Sequence, residues 1–403
     1  MTYKETVNWM FAQLPMYQQK GVSALKNKLD NIENFSFQLN KPEKKFKSIH
    51  VAGTNGKGSS CHMLASILQE AGYKVGLYTS PHLKDFRERI KINGQKISKK
   101  FVVDFIQNND TYLKYHQLSF FEMTVGMAFD FFAKEKVDIA IIEVGLGGRL
   151  DSTNIITPEV SLITNIGLDH VDILGDTIEK IALEKAGIIK RKVPVVISET
   201  QSELELIFKL IATQLKSRIT FADKEEKVVY QTDLLGKYQQ RNISGVLATL
   251  KNLRGFEIEE VDIQNGLRKV VPNTGLLGRW QKIQEEPMVV CDTAHNKEGL
   301  QLVLKQISNE KFNTLHIVLG VVKDKDLGQI LPLFPVDACY YFVKPNVPRG
   351  LCEKKLKHVA ESFKLKGKSF GSVKKGYKSA KEAAENGDFI YIGGSTFVVA
   401  EVV

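Results

Sequence analysis

The sequence predicts two α/β domains in series, a larger one followed by a smaller one, each built on a mostly parallel sheet. Three observations predict this. Strand-like and helix-like runs alternate almost throughout, which is the βαβα rhythm of parallel sheets with helices on both faces. Residues 138–144 (DIAIIEV) form a continuous apolar run, the pattern of a strand buried on both faces. The rhythm then restarts near Met288, after a hinge-like stretch at 274–280 and a polar run ending in Pro287. The 403 residues allow two or three domains at roughly 150 residues each. The expected division is 1–283 and 284–403.

Each element has its own signal. Residues 49–51 lead into a glycine-rich turn and an amphipathic helix from about Ser59 to Gly72. Strands follow at Val75–Tyr78, 138–144, Val160–Ile163 and 193–197. A helix over 177–189 opens on Asp176 and Glu179, spaced like a capping box. In the second series the strands are Met288–Cys291, 314–319, 338–343 and 389–392. The sequence shows no internal repeat and no low-complexity segment.

Composition narrows the function classes. Hydrophobic residues make up 43% and charged residues 25%, which is ordinary globular usage. No apolar stretch approaches the roughly 20 residues of a membrane span, so no membrane association is expected. Residues 1–21 lack the basic start and apolar block of a secretory signal. The cysteines, Cys61, Cys291, Cys339 and Cys352, show no CxxC spacing and no following histidine pair. That argues against zinc sites and disulfides and fits a cytoplasmic location. The net charge of +10 suits either nucleic acid or polyanionic small molecules. Much of the excess sits in C-terminal lysines such as Lys354, Lys355, Lys374 and Lys375, without the interleaved aromatics of a base-stacking surface. A solvated face is expected there, and no nucleic-acid partner.

The chemistry-bearing segment is Gly53, Thr54, Asn55, Gly56, Lys57, Gly58 and Ser59, lying between a strand and a helix. Glycines let backbone N–H groups turn around phosphate oxygens, and the helix N-terminus adds positive potential. Lys57 would reach the β- and γ-phosphates, and a hydroxyl would meet Mg²⁺. The strict Walker spacing is not kept, because Val51 occupies the first glycine position and Gly58 separates Lys57 from Ser59. Glu143 ends the apolar strand ahead of Gly145, Gly147 and Gly148. It reads either as a plain strand terminus or as the Mg²⁺-holding acid of a P-loop ATPase-type sheet. His170, after the strand Val160–Ile163, is either structural or a ligand. Ile178, Ile181, Ala182, Lys185 and Ile188 share one helical stripe. Lys185 is therefore either a lysine snorkelling at the stripe's edge or a desolvated amine of lowered pKa that could react with CO₂ to give a carbamate.

Taken together, these segments resemble the dihydrofolate synthase/folylpolyglutamate synthase family of the Mur ligase group. The resemblance covers nearly the whole chain. It rests on the GTNGKGS loop, Thr79-Ser80-Pro81-His82-Leu83, Phe121-Glu122, the run from Glu143 to Arg149 and on to Asn154, and Leu168-Asp169-His170. It continues through Glu184 to Ile188, Tyr238 to Asn242, Gly278-Arg279, Asp292 to Asn296, Lys323 to Asp326 and Gly394-Ser395. It implies a P-loop ATPase-type, Mur ligase central-type first domain and a Rossmann-like second one. It also implies an ATP- and Mg²⁺-dependent acid–amino-acid ligase working through an acyl phosphate. The substrates implied are dihydropteroate, reduced folates and L-glutamate, and the expected state is a monomer.

Residue by residue, Ser59, Ser80, Glu143 and His170 correspond to metal ligands, and Lys185 to a carbamylated lysine. Asn242, Arg279 and Asp292 correspond to ATP contacts, and His295 to an active-site residue. Ser119, Phe120, Phe121, Glu122, Leu150, Asp151 and Ser152 correspond to the pterin-side pocket. The chain departs from the family pattern at Thr293, where glycine is usual. His82 resembles members that make dihydrofolate, whereas members that only polyglutamylate more often carry Phe there. The alternatives are a polyglutamylating enzyme alone, a peptidoglycan-precursor amino-acid ligase, and a P-loop kinase or ATPase.

Overall fold

The alternating runs fold into two separate sheets. The structure, a computed structural model, describes residues 1–13, 29–225 and 229–403. Residues 14–21 of the stretch read above for a secretory signal lie outside the described residues. The chain divides into one unit of Met1–Asp233 with Gln240–Gly275, and another of Leu234–Gln239 with Leu276–Val403. The division falls at Gly275 rather than at 283/284. The reason is that Gln281–Gln284 is no linker, but a strand paired antiparallel with Met288–Cys291.

The first unit carries β1 (Lys47–Ala52), β2 (Val75–Tyr78), β3 (Ile90–Ile92), β4 (Gln95–Lys96), β5 (Ile139–Glu143), β6 (Val160–Ile163), β7 (Val195–Ile197) and β8 (Ile219–Phe221). Their order is β4-β3-β2-β5-β1-β6-β7-β8. All neighbours are parallel except β2–β3 and β3–β4. Every residue of β5 is buried, as its continuous apolar run predicts. Ala140 and Ile142 join a core with Phe35, Met123, Phe129 and Phe132, while Ile139 and Ile141 are fully buried too on the opposite face.

The second unit carries β9 (Gln281–Gln284), β10 (Met288–Cys291), β11 (Leu315–Leu319), β12 (Cys339–Val343), β13 (Gly367–Phe370) and β14 (Phe389–Gly393). Their order is β13-β12-β11-β14-β10-β9. Period-two alternation divides this sheet between two cores. Phe389 and Tyr391 face one, and Ile390 and Ile392 the other.

Strand register positions the site. Val51 pairs with Glu143, Ala52 with Ile163, and Tyr78 with Ile142. The carboxyl ends of β2, β5, β1 and β6 are thus level, and the loops that follow them emerge side by side at the edge where α/β sheets bind ligands.

Candidate active site

The loop after β1 is held from below by the loop after β6. Thr54 N–H donates to Asn165 O (2.8 Å) and Asn55 N–H to Asn165 Oδ1 (2.9 Å). The Thr164 hydroxyl donates to Asn55 O at 2.6 Å. Gly53 has φ +143, and a Cβ there would lie 1.8 Å from Thr164 Oγ1, so only glycine lets the two loops meet. Gly56, also at positive φ, begins the helix Lys57–Glu70 with no side-chain cap. An uncapped first turn leaves the helix end suited to an anion. Lys57 Nζ curls back to Gly53 O (3.0 Å) and Thr54 O (3.2 Å), a cation poised on the cradle. Asn242 packs against this loop, its Oδ1 lying 2.3 Å from where a Gly56 Cβ would be.

Glu143 is buried at the end of β5 and accepts the Ser80 N–H at 3.0 Å. Ser59 is buried in the first helical turn. His170 sits in a left-handed conformation, half-exposed, with Nε2 4.0 Å from Asp169 Oδ2. A carboxylate and two serines beside a phosphate loop fit Mg²⁺, which keeps waters and substrate phosphate oxygens in its shell. Among the described residues no three His, Cys, Asp or Glu side chains converge, so protein carboxylates and imidazoles alone do not form a closed cage.

Lys185 is buried, and its Nζ donates to Gly53 O at 2.9 Å. Burial foremost, and then the Lys57 charge, lower its pKa to about 7. It is thus a desolvated amine and does not snorkel. Its helix runs Ile178–Ala186, capped by Thr177 rather than Asp176. Asp176 instead pairs with Lys180 at 2.7 Å, and the helix stops short of residue 189, its end tightening into i→i+3 bonds from the N–H groups of Gly187, Ile188 and Ile189. Gly148 allows a tight contact with this helix, since a Cβ there would lie 2.7 Å from Glu184 O.

The residues assigned to the pterin side play mixed parts. Ser119 and Glu122 form a capping box on the helix Phe120–Lys134. Phe120 is buried and stacks on Phe11 with centroids 4.6 Å apart. Phe121 lies over the loop after Glu143, its Cζ 2.4 Å from where a Gly145 Cβ would be. Leu150 and Ser152 are half-buried and flank the buried Asp151. Burial pushes the Asp151 carboxyl up, against the pull of its hydrogen bonds. Those bonds come from the Leu146 N–H (2.9 Å), the Thr153 N–H (3.0 Å) and the Thr153 hydroxyl (2.5 Å).

In the second unit, Asp292 directly follows β10 and is almost wholly buried. It accepts the Tyr238 hydroxyl (2.6 Å), the Trp280 N–H (2.7 Å) and the Ala294 N–H (2.8 Å). Arg279 reaches Gly278 O at 3.3 Å. His295 Nδ1 lies 3.0 Å from Thr293 O, and the Thr293 N–H donates to Gly278 O at 3.0 Å.

Comparison with known proteins establishes the family. Residues 51–264 match the Mur ligase middle domain and 278–396 the Mur ligase glutamate ligase domain. Dihydrofolate synthase/folylpolyglutamate synthase of Bacillus subtilis is 32% identical over 432 residues, covering 99% of this chain and 98% of its own. The chain belongs to the dihydrofolate synthase/folylpolyglutamate synthase family of Mur ligases. A probable bifunctional folylpolyglutamate synthase/dihydropteroate synthase of Haloferax volcanii is also 32% identical, and this chain spans half its length. Escherichia coli FolC in complex with DHPP and ADP superposes with a TM-score of 0.84 at 28% identity, covering 100% of this chain and 97% of that one.

One buried residue beside His82 has no local sequence signal. Arg89, at the end of the hairpin-side turn Phe86–Arg89, is buried. Its Nε donates to His82 Nδ1 at 2.8 Å, and its guanidinium lies 5.2 Å from the Phe120 ring centroid. Burial, then the Arg89 charge, hold the His82 pKa down to about 4, so the imidazole is neutral and can accept that bond.

Proposed function

We propose that this protein joins L-glutamate both to dihydropteroate and to reduced folates, consuming ATP and passing through an acyl phosphate, as a cytoplasmic monomer. The observation that carries this reading is the level set of loops in the first unit. There the glycine-rich cradle, Glu143 and Ser80 meet, in a chain aligned end to end with a bifunctional relative.

A carboxylate is a poor electrophile and needs activation. The substrate carboxylate oxygen attacks the γ-phosphorus of ATP, the bond to the bridging oxygen breaks, and ADP leaves. Lys57 and the first turn of its helix hold the phosphates and offset charge on the transferring group. Mg²⁺, when bound, would neutralise phosphate charge, held by Glu143, His170 and the hydroxyls of Ser59 and Ser80. The free amine of glutamate then attacks the acyl carbon, a proton is lost, and phosphate departs as the tetrahedral adduct collapses to the amide.

Lys185 supports one further part of the reading. A neutral amine adds to CO₂, forming an N–C bond and releasing a proton, to give an anion in place of a cation. The carbamate keeps one N–H, which can still donate to Gly53 O.

The test is ATP consumption with dihydropteroate or tetrahydrofolate, each with and without glutamate. Turnover dependent on glutamate with both substrates is expected. Turnover with tetrahydrofolate alone would reduce the protein to a polyglutamylating enzyme, and glutamate-independent turnover would make it a kinase or ATPase.

A further inference from the structure

Beneath the loop after Glu143, a buried chain of side chains starts inside the sheet and ends on that loop. His50, in the middle of β1, is fully buried, and its Nε2 lies 2.9 Å from Thr153 Oγ1. The Thr153 hydroxyl donates its proton to Asp151 Oδ1, so it must accept from His50, which fixes the proton on Nε2. His50 Nδ1 is then a bare lone pair, and it has no partner among the described residues. This fits an imidazole kept neutral by burial. Asp151 passes the constraint on, because its Oδ2 accepts the Leu146 N–H. Leu146 follows Gly145, the residue on which the Phe121 ring rests.

We infer that Thr153, oriented by His50, is a positioning residue for pterin-substrate binding: it fixes the Asp151 carboxylate, which in turn sets the Gly145–Leu146 loop against Phe121. The inference rests on the proposed ligase reading and deepens it on the pterin side. Neither Thr153 nor His50 touches substrate in this scheme. They act through a carboxylate with few rotamers open to it once both oxygens are held. The phosphate cradle is fastened by Thr164, Asn165 and Lys185, through hydrogen bonds that involve neither Asp151 nor Thr153, so the relay should weigh more on the pterin substrates than on ATP.

The experiment compares Thr153→Val, which keeps shape but removes the hydroxyl, with Thr153→Ser, which keeps it. Steady-state KM values for dihydropteroate, tetrahydrofolate and ATP are measured alongside thermal unfolding. Thr153→Val should raise KM for both pterin substrates by at least about tenfold, with KM for ATP within about twofold of wild type. Thr153→Ser should restore the wild-type values. His50→Leu should shift the same KM values in the same direction, and it supplies the test if Thr153→Val does not fold. Unchanged pterin KM in a folded Thr153→Val protein, or equal rises for pterin and ATP, would overturn the inference. A wild-type protein that uses neither pterin substrate would instead sink the ligase reading itself.

Discussion

Lys185 donates to the carbonyl oxygen of Gly53 at 2.9 Å across 132 residues of sequence. This places a buried amine against the first glycine of the phosphate cradle. Its folded pKa, about 7, lies below the ordinary 10.5, so between these values the unfolded chain binds more protons. Stability attributable to Lys185 therefore rises with pH across about 7 to 10.5 and is lost as pH falls through about 7. In CO₂-free buffer, urea unfolding of the wild type should gain up to about 1.4 kcal/mol per pH unit over this window from Lys185. Lys185→Met should flatten that slope. Equal slopes would mean that the amine is not desolvated in solution.

Lys57→Ala should sharply slow amide formation in a folded protein. The ammonium spans Gly53 O and Thr54 O where the phosphates would lie. Removing a group of this kind lowers kcat by roughly 10²–10³-fold. Near-wild-type kcat would remove the phosphate-loop assignment.

Asp292→Ala should act on stability as well as on ATP. Three donors, the Tyr238 hydroxyl and the N–H groups of Trp280 and Ala294, lose their acceptor. Each stranded donor costs about 1–3 kcal/mol before relaxation. Tyr238→Phe, which removes one donor and leaves the carboxylate two others, should cost less. Calorimetry of the two variants checks the order. An Asp292→Ala protein as stable as wild type, but with raised KM for ATP, would return Asp292 to a purely nucleotide-binding part.

The pattern of legible and illegible features follows from range. Val75–Tyr78, Val160–Ile163 and Met288–Cys291 are readable to the residue, because a buried parallel strand announces itself through consecutive apolar side chains. Lys185 is readable because helical period alone places it among Ile178, Ile181 and Ala182. By contrast, β3, β4 and β9 have two to four residues of mixed polarity, too few for periodicity to register. The Ser119–Glu122 capping box carries the S-x-x-E spacing that identifies it, and the same residues fall in the stretch that resembles the family's pterin-side pocket. Arg89 meets His82 only through the fold of the hairpin that β3 begins, so no local pattern could reveal the pair.

His82→Phe should weaken dihydropteroate more than tetrahydrofolate. The Arg89 guanidinium is buried, and the His82 Nδ1 lone pair takes its Nε–H at 2.8 Å. Because the His82 pKa is about 4, that lone pair is available throughout the neutral range. Phenylalanine keeps the ring but offers no acceptor. Losing a hydrogen bond to a charged group costs about 1.5–3 kcal/mol. Arg89 would then move to recover a partner, and with it the Phe120 ring over which it lies and the Phe11 stacked on Phe120. Dihydropteroate has no glutamate tail, so its binding should depend more on the residues assigned to the pterin side, Phe120 among them, whereas tetrahydrofolate also has its tail to bind by. A rise of about tenfold in KM for dihydropteroate is expected, with a smaller rise for tetrahydrofolate and little change in His82→Asn, which restores an acceptor. Steady-state kinetics on both substrates measure this. Equal KM changes for the two, or none for either, would show that the Arg89–His82 bond does not discriminate between them.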